Sequence, residues 1–214
     1  MARFMSFVLL FAPLMASAAR ADTPPPPNTG AIAADCAVGE KPWAVGSLLN
    51  TLPGSEEEAR AARHVAPAFE ICGGKLTIDQ RSQSLSNGRA YLAAAMAERL
   101  LDKRGANLSN VSAEPWYASA IGARKSTQGY DATSIGMQAF GTCVVHAAPD
   151  ASVALLRSSE GSAEERAAVR GIKPILAGCL YDGAPVHISF IQLRLMIAEP
   201  LYHVLTDGRS AGRS

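Results

Sequence analysis

Four cysteines fix most of what this chain can become. Cys72 follows Cys36 by 36 residues, and Cys179 follows Cys143 by the same 36. The two pairs are related by a shift of 107 residues. When residues 36–72 are laid over 143–179 without gaps, fourteen of 37 positions are identical. They include Val38/Val145, Pro42/Pro149, Leu48-Leu49/Leu155-Leu156, Gly54-Ser55/Gly161-Ser162, Glu57-Glu58/Glu164-Glu165, Arg63/Arg170 and Pro67/Pro174. An ungapped match of this length reads as a tandem duplication, long enough for each copy to be a structural unit. Past the second cysteine the match needs gaps, and Arg89-Ala90-Tyr91-Leu92-Ala93 falls over Arg194-Leu195-Met196-Ile197-Ala198.

Four cysteines allow three pairings. A unit that existed once before it was copied carries its own bridge most simply, so the expected pairs are Cys36–Cys72 and Cys143–Cys179. In the chain-entropy model each 36-residue loop is worth about 4 kcal/mol, comparable with the whole stability of a small domain. No Cys-x-x-Cys occurs, so a dithiol redox centre is not indicated. Cys143-Val-Val-His146 has a metal-ligand spacing but no second short pair to complete a zinc site. No metal and no cofactor is expected.

Each copy reads as three helices. The first spans 42–52 in one copy and 149–157 in the other, with proline in the first turn, where its missing N–H is not needed. The second begins at Gly-Ser-x-Glu-Glu. Serine at the N-cap with glutamate three residues on is a capping box, and acids in the first turn complement the helix dipole. Ala61, Val65, Phe69 and Cys72 then share one face, as do Ala168, Ile172, Leu176 and Cys179. Pro67 and Pro174 fall inside these runs and are expected to kink or restart them. Brief alternation at 75–79 and 186–188 predicts short extended pieces. The last helix carries Leu85, Leu92, Met96 and Leu100 in one copy, and Phe190, Leu193, Ile197, Leu201 and Val204 in the other. The fold class is therefore mainly α, with two tandem three-helix units, each holding one disulfide.

The first 21 residues have the layout of a secretory signal peptide: Arg3, an apolar run over 5–15, and small residues up to Ala21. The run is too short to span about 30 Å of hydrocarbon, and no later stretch offers a membrane span. The expected organisation is signal peptide 1–21, Pro-rich leader 22–34, unit one 35–104, spacer 105–141, unit two 142–207 and a frayed tail 208–214. The expected location is periplasmic or secreted, where disulfides persist. Removing 1–21 takes away Arg3 and Arg20, leaving 18 Lys and Arg against 19 Asp and Glu. That balance, with dispersed arginines, argues against a nucleic-acid partner.

Motifs for chemistry are missing. The G-x-S-x-G at Gly208-Arg209-Ser210-Ala211-Gly212 falls in the expected frayed tail, without the strand and helix that a nucleophile elbow joins; there is no S-x-x-K or H-E-x-x-H, and Gly122-Ala123-Arg124-Lys125-Ser126 lacks the glycines of a phosphate loop. His64, His146, His187 and His203 read as surface or satisfied histidines. Glu199 reads as solvated or salt-bridged, with a buried acid as the alternative. The acid runs at Glu56-Glu57-Glu58 and Glu164-Glu165 read as helix capping. The spacer holds residue types that anchor interfaces, Trp116, Tyr117, Arg124 and Tyr130, with packing of the spacer onto the units as the plainer role. A short helix is expected over 116–123.

The repeated pattern Cys-x-Val, Pro, Leu-Leu, Gly-Ser-x-Glu-Glu, Arg, Pro, Cys resembles a family of exported bacterial proteins of uncharacterised function. The resemblance implies secretion and a paired-repeat layout, and it carries no activity. The expected role is a non-enzymatic protein-interaction or cell-envelope component. The alternatives are a carrier of a small apolar ligand held between the units, and an enzyme whose site is assembled from scattered residues.

Overall fold

The computed structural model describes residues 29–76, 88–105, 108, 111–122, 130–180 and 188–207. The signal peptide, leader residues 22–28, the tail, Arg124, His187, Leu85 and most of both expected extended pieces lie outside the described residues. Among the described residues there is no strand, and the chain is mainly helical: α1 (Thr29–Glu40), α2 (Pro42–Leu49), α3 (Glu56–Ile71), α4 (Gly88–Arg104), α5 (Ala118–Gly122), α6 (Ala132–Ala147), α7 (Pro149–Arg157), α8 (Ala163–Cys179) and α9 (Phe190–Asp207).

Each half holds four long helices rather than three. The extra ones, α1 and α6, carry the first cysteine of each pair. α1 starts at Thr29, inside the stretch expected as leader, and α6 starts at Ala132, inside the expected spacer. For α1 the reason lies in its composition. α1 is built from small residues, and its Ala33, Ala34, Ala37 and Val38 are fully buried without the large side chains that mark an amphipathic stripe. In α6 the corresponding close approach is made by Gly141, where a Cβ would collide with the carbonyl oxygen of Met196 in α9. α3 and α8 run on through Pro67 and Pro174 without restarting.

Both bridges have the expected partners, Cys36–Cys72 and Cys143–Cys179, with Cα atoms 5.8 and 5.6 Å apart. Each ties α1 to the end of α3, or α6 to the end of α8. At the centre α4 and α9 pack against each other. They run antiparallel: Arg89 at the start of α4 reaches Glu199 midway along α9, whereas Glu98, further along α4, faces Arg194, nearer the start of α9. α1 lies on α4 and α6 on α9, so α4 and α9 join the two halves around one core. Leu48, Leu49, Leu92, Leu155, Leu156 and Ile197 sit at its middle, at 1% exposure or less.

Candidate functional site

The repeated Gly-Ser-x-Glu-Glu builds the same device twice. Gly54 and Gly161 have φ of 81° and 74°, a left-handed backbone that glycine adopts without steric cost. The next residue, Ser55 or Ser162, caps its helix by accepting from the N–H of Glu58 at 3.1 Å or Glu165 at 3.0 Å. The glutamate folds back and accepts from the glycine N–H, at 2.6 Å in the first half and 2.7 Å in the second. Its other oxygen takes an arginine from the last helix: Arg89 to Glu58 at 2.7 Å, and Arg194 to Glu165 at 2.9 Å.

These arginines also gather carbonyls at the end of the preceding short helix. Arg89 donates to Leu48 at 3.2 Å, Leu49 at 3.0 Å and Thr51 at 2.8 Å. Arg194 donates to Leu156 at 2.9 Å and Ser158 at 2.7 Å. Orphan carbonyls at a helix C-terminus need donors, and a cation there also meets the negative end of the helix dipole. One buried guanidinium thus links three helices in each half. Arg89 and Arg194 thus make the same kinds of contact in their two halves.

The halves then differ. Arg89 reaches across to Glu199, with Nε 3.0 Å from both carboxylate oxygens and Nη2 on Oε1. At the matching place in α4 stands Ala94, and the buried Nε of Arg194 has no acceptor among the described residues. Burial works against the charged forms of Arg89 and Glu199. Their mutual attraction and hydrogen bonds outweigh it, so Arg89 is raised above the ordinary guanidinium value and Glu199 is held below the ordinary carboxylate value. Glu98 goes the other way. Burial pushes its carboxyl up, Arg194 opposes this, and Asp35 and Asp102 add to it.

Glu199 is therefore both buried and salt-bridged. It accepts from Gln138 Nε2 at 2.5 Å and lies 3.9 Å from His203 Nε2. His203 is buried, donates from Nε2 to the Leu49 carbonyl at 3.1 Å, and stacks on Trp116 with ring centres 4.0 Å apart and planes at 14°. So the spacer covers the buried ion cluster through Trp116. Tyr117 is buried, meets Trp116 edge-on at 5.7 Å, and its hydroxyl is 3.4 Å from the Ile135 carbonyl. Tyr130 is half-buried at the entry to α6, where the Asp131 N–H donates to Pro53 at 2.7 Å. Of the candidate interface residues, Trp116 and Tyr117 meet, and both pack inward. His64 and His146 are exposed, and His146 holds the Val111 carbonyl at 3.0 Å through Nδ1.

Two features escaped the sequence reading. One is the Arg89–Glu199 pair, 110 residues apart in sequence. The other is a set of large apolar side chains left outside in the first half: Ile71 at 85% exposure, Trp43 at 67% and Ile32 at 51%. The 107-residue offset puts Gly178, Asp150 and Ala139 in their places in the second half, which shows where the halves differ but not that these side chains stay in water. Among the described residues, no group of three His, Cys, Asp or Glu side chains is placed to hold a metal. Compared with protein-family models, curated proteins and solved structures, the chain matches none.

Proposed function

We propose that this is an exported helical protein, built by tandem duplication, that works by binding another protein through the apolar side chains exposed on its first half. The carrying observation is the greater exposure of large apolar side chains in the first half, where Ile71, Trp43 and Ile32 all exceed Met137 and Phe190 of the second half, each at 42%. Ile32, Trp43 and Ile71 are exposed where the second half has alanine, aspartate and glycine. An exposed aromatic and two branched side chains are costly to leave in water and are the residue types that seat in a partner. The charged groups at the centre support the same reading. Arg89, Glu58, Glu199, Arg194 and Glu165 are buried in ion pairs with one another and in bonds to the backbone. Such groups hold helices together and are not free to bind a substrate. Two formed disulfides suit an oxidising compartment, and the signal-peptide layout of 1–21 supports export.

A second reading, a carrier for a small ligand, draws on Trp116 Nε1 and Gln138 Oε1, a buried donor and acceptor without partners beside the Glu199 cluster. The binding face is tested with a photo-crosslinking residue at position 43, introduced into the protein in its own envelope. The expected result is a discrete protein adduct at 43, lost in Ile71→Asp, and none from the exposed control position 166. No adduct at 43, or equal adducts at both positions, would refute the face.

A further inference from the structure

The two bridges close loops of equal length but sit in unlike surroundings. Cys36 lies on the exposed side of α1, and Cys72, half-buried, caps the end of α3. In the second half Cys143 is half-buried and Cys179 is 7% exposed. Beside the first bridge stand Ile71, the immediate neighbour of Cys72, and Ile32, one helical turn before Cys36, both exposed. Beside the second, the same offsets give Gly178 and Ala139.

We propose that Cys36–Cys72 is an exchangeable bridge, opened and re-formed by a protein dithiol that docks on Ile32 and Ile71, while Cys143–Cys179 is permanent. Thiol–disulfide exchange needs the attacking thiolate to reach a sulfur, so access governs which of two otherwise similar bridges reacts. The thiolate attacks Sγ of Cys36, and the bond between the cysteines breaks. Its electron pair leaves on Cys72, which takes up a proton. The partner's second thiol, once deprotonated, attacks the partner's first sulfur in the mixed disulfide and releases Cys36 as a thiolate, which takes up that proton. The partner ends as a disulfide, both cysteines end as thiols, and two electrons have moved. The reverse sequence closes the bridge. The fold allows this to be reversible, because α1 stays anchored by Ala33, Ala34, Ala37 and Val38 and by the Arg99–Asp35 pair at 3.0 Å. The partner chemistry rests on the binding through exposed apolar side chains proposed above, whereas the difference between bridges rests on exposure alone.

The oxidised protein is treated with limiting dithiothreitol or with reduced thioredoxin as the Cys-x-x-Cys probe, alkylated at intervals, and mapped by peptide mass. Cys36 and Cys72 are expected to label at least ~10-fold faster than Cys143 and Cys179. Ile32→Ser with Ile71→Ser is expected to slow opening by thioredoxin several-fold and leave opening by dithiothreitol unchanged. Equal opening of both bridges, or earlier opening of Cys143–Cys179, overturns the exchangeable bridge. An unchanged thioredoxin rate in the serine variant overturns the dithiol partner, while the crosslinking at position 43 still reads the face itself. Cys36→Ser with Cys72→Ser is expected to keep its helical circular dichroism, and loss of that signal overturns reversibility.

Discussion

Replacing Arg89 by methionine should cost far more than the same change at Arg194, although the two arginines occupy matching places. Methionine keeps much of the apolar stem and removes the charge. At position 89 the loss leaves Glu58 and Glu199, at 0% and 2% exposure, with no cation in contact among the described residues except what His203 can offer. It also strips donors from the carbonyls of Leu48, Leu49 and Thr51. Breaking one buried pair in this way costs roughly 3–5 kcal/mol, a large part of the 5–15 kcal/mol that holds a typical domain together. At position 194 Glu165 loses its paired cation, Glu98 loses the charge that opposes its upward shift, the carbonyls of Leu156 and Ser158 and the Ser158 hydroxyl lose donors, and the buried unsatisfied Nε disappears. Removing an unmet donor recovers about 1–3 kcal/mol of desolvation penalty, so the net cost at 194 should be roughly 1–3 kcal/mol. Urea unfolding followed by far-ultraviolet circular dichroism gives both numbers, provided the slope against urea is unchanged. A second variant, Arg89→Met with Glu199→Leu, should recover part of the loss, because it removes one stranded carboxylate. If Arg194→Met costs as much as Arg89→Met, or Arg89→Met costs under about 1 kcal/mol, then the ion cluster does not hold the halves together and the reasoning fails.

Acid should weaken the protein partly through Glu199. Its folded value lies below its unfolded one, so its contribution is complete above the unfolded value and is lost as pH falls through the folded value. Glu199→Gln should therefore flatten the fall of the urea midpoint as pH drops below the ordinary carboxylate value. Glu98 has the opposite sign, so Glu98→Gln should raise the midpoint at pH 7, and the gain should vanish once the wild-type carboxyl is protonated. Ser55→Ala and Ser162→Ala should each lower stability by about 1 kcal/mol, with the larger loss at the fully buried Ser55. In α6, Gly136→Ala meets open space and should stabilise by about 0.5–1 kcal/mol, whereas Gly141→Ala strikes the Met196 backbone and should destabilise by about 1–3 kcal/mol. Thermal unfolding of the two glycine variants side by side separates these outcomes.

What the chain alone determined is local or repeated. The capping boxes at Ser55 and Ser162, the prolines that open α2 and α7, and the cysteine partners all follow from short-range chemistry and from one spacing seen twice. α7 ran over the expected residues, and α2 fell short of Leu52. α1 was missed because burial through alanine leaves no strong apolar stripe to read, and α6 because the overlay began at Cys143 and left its first turns, Ala132 to Thr142, in the spacer. Only the tertiary structure decided that Glu199 meets Arg89 while Ala94 leaves Arg194 short of an acceptor, since antiparallel packing of α4 on α9 brings those positions together. It also decided which apolar side chains stay in water. Ile71 and Phe69 are equally at home in a helix, and the side of α3 that faces the core buries one and exposes the other.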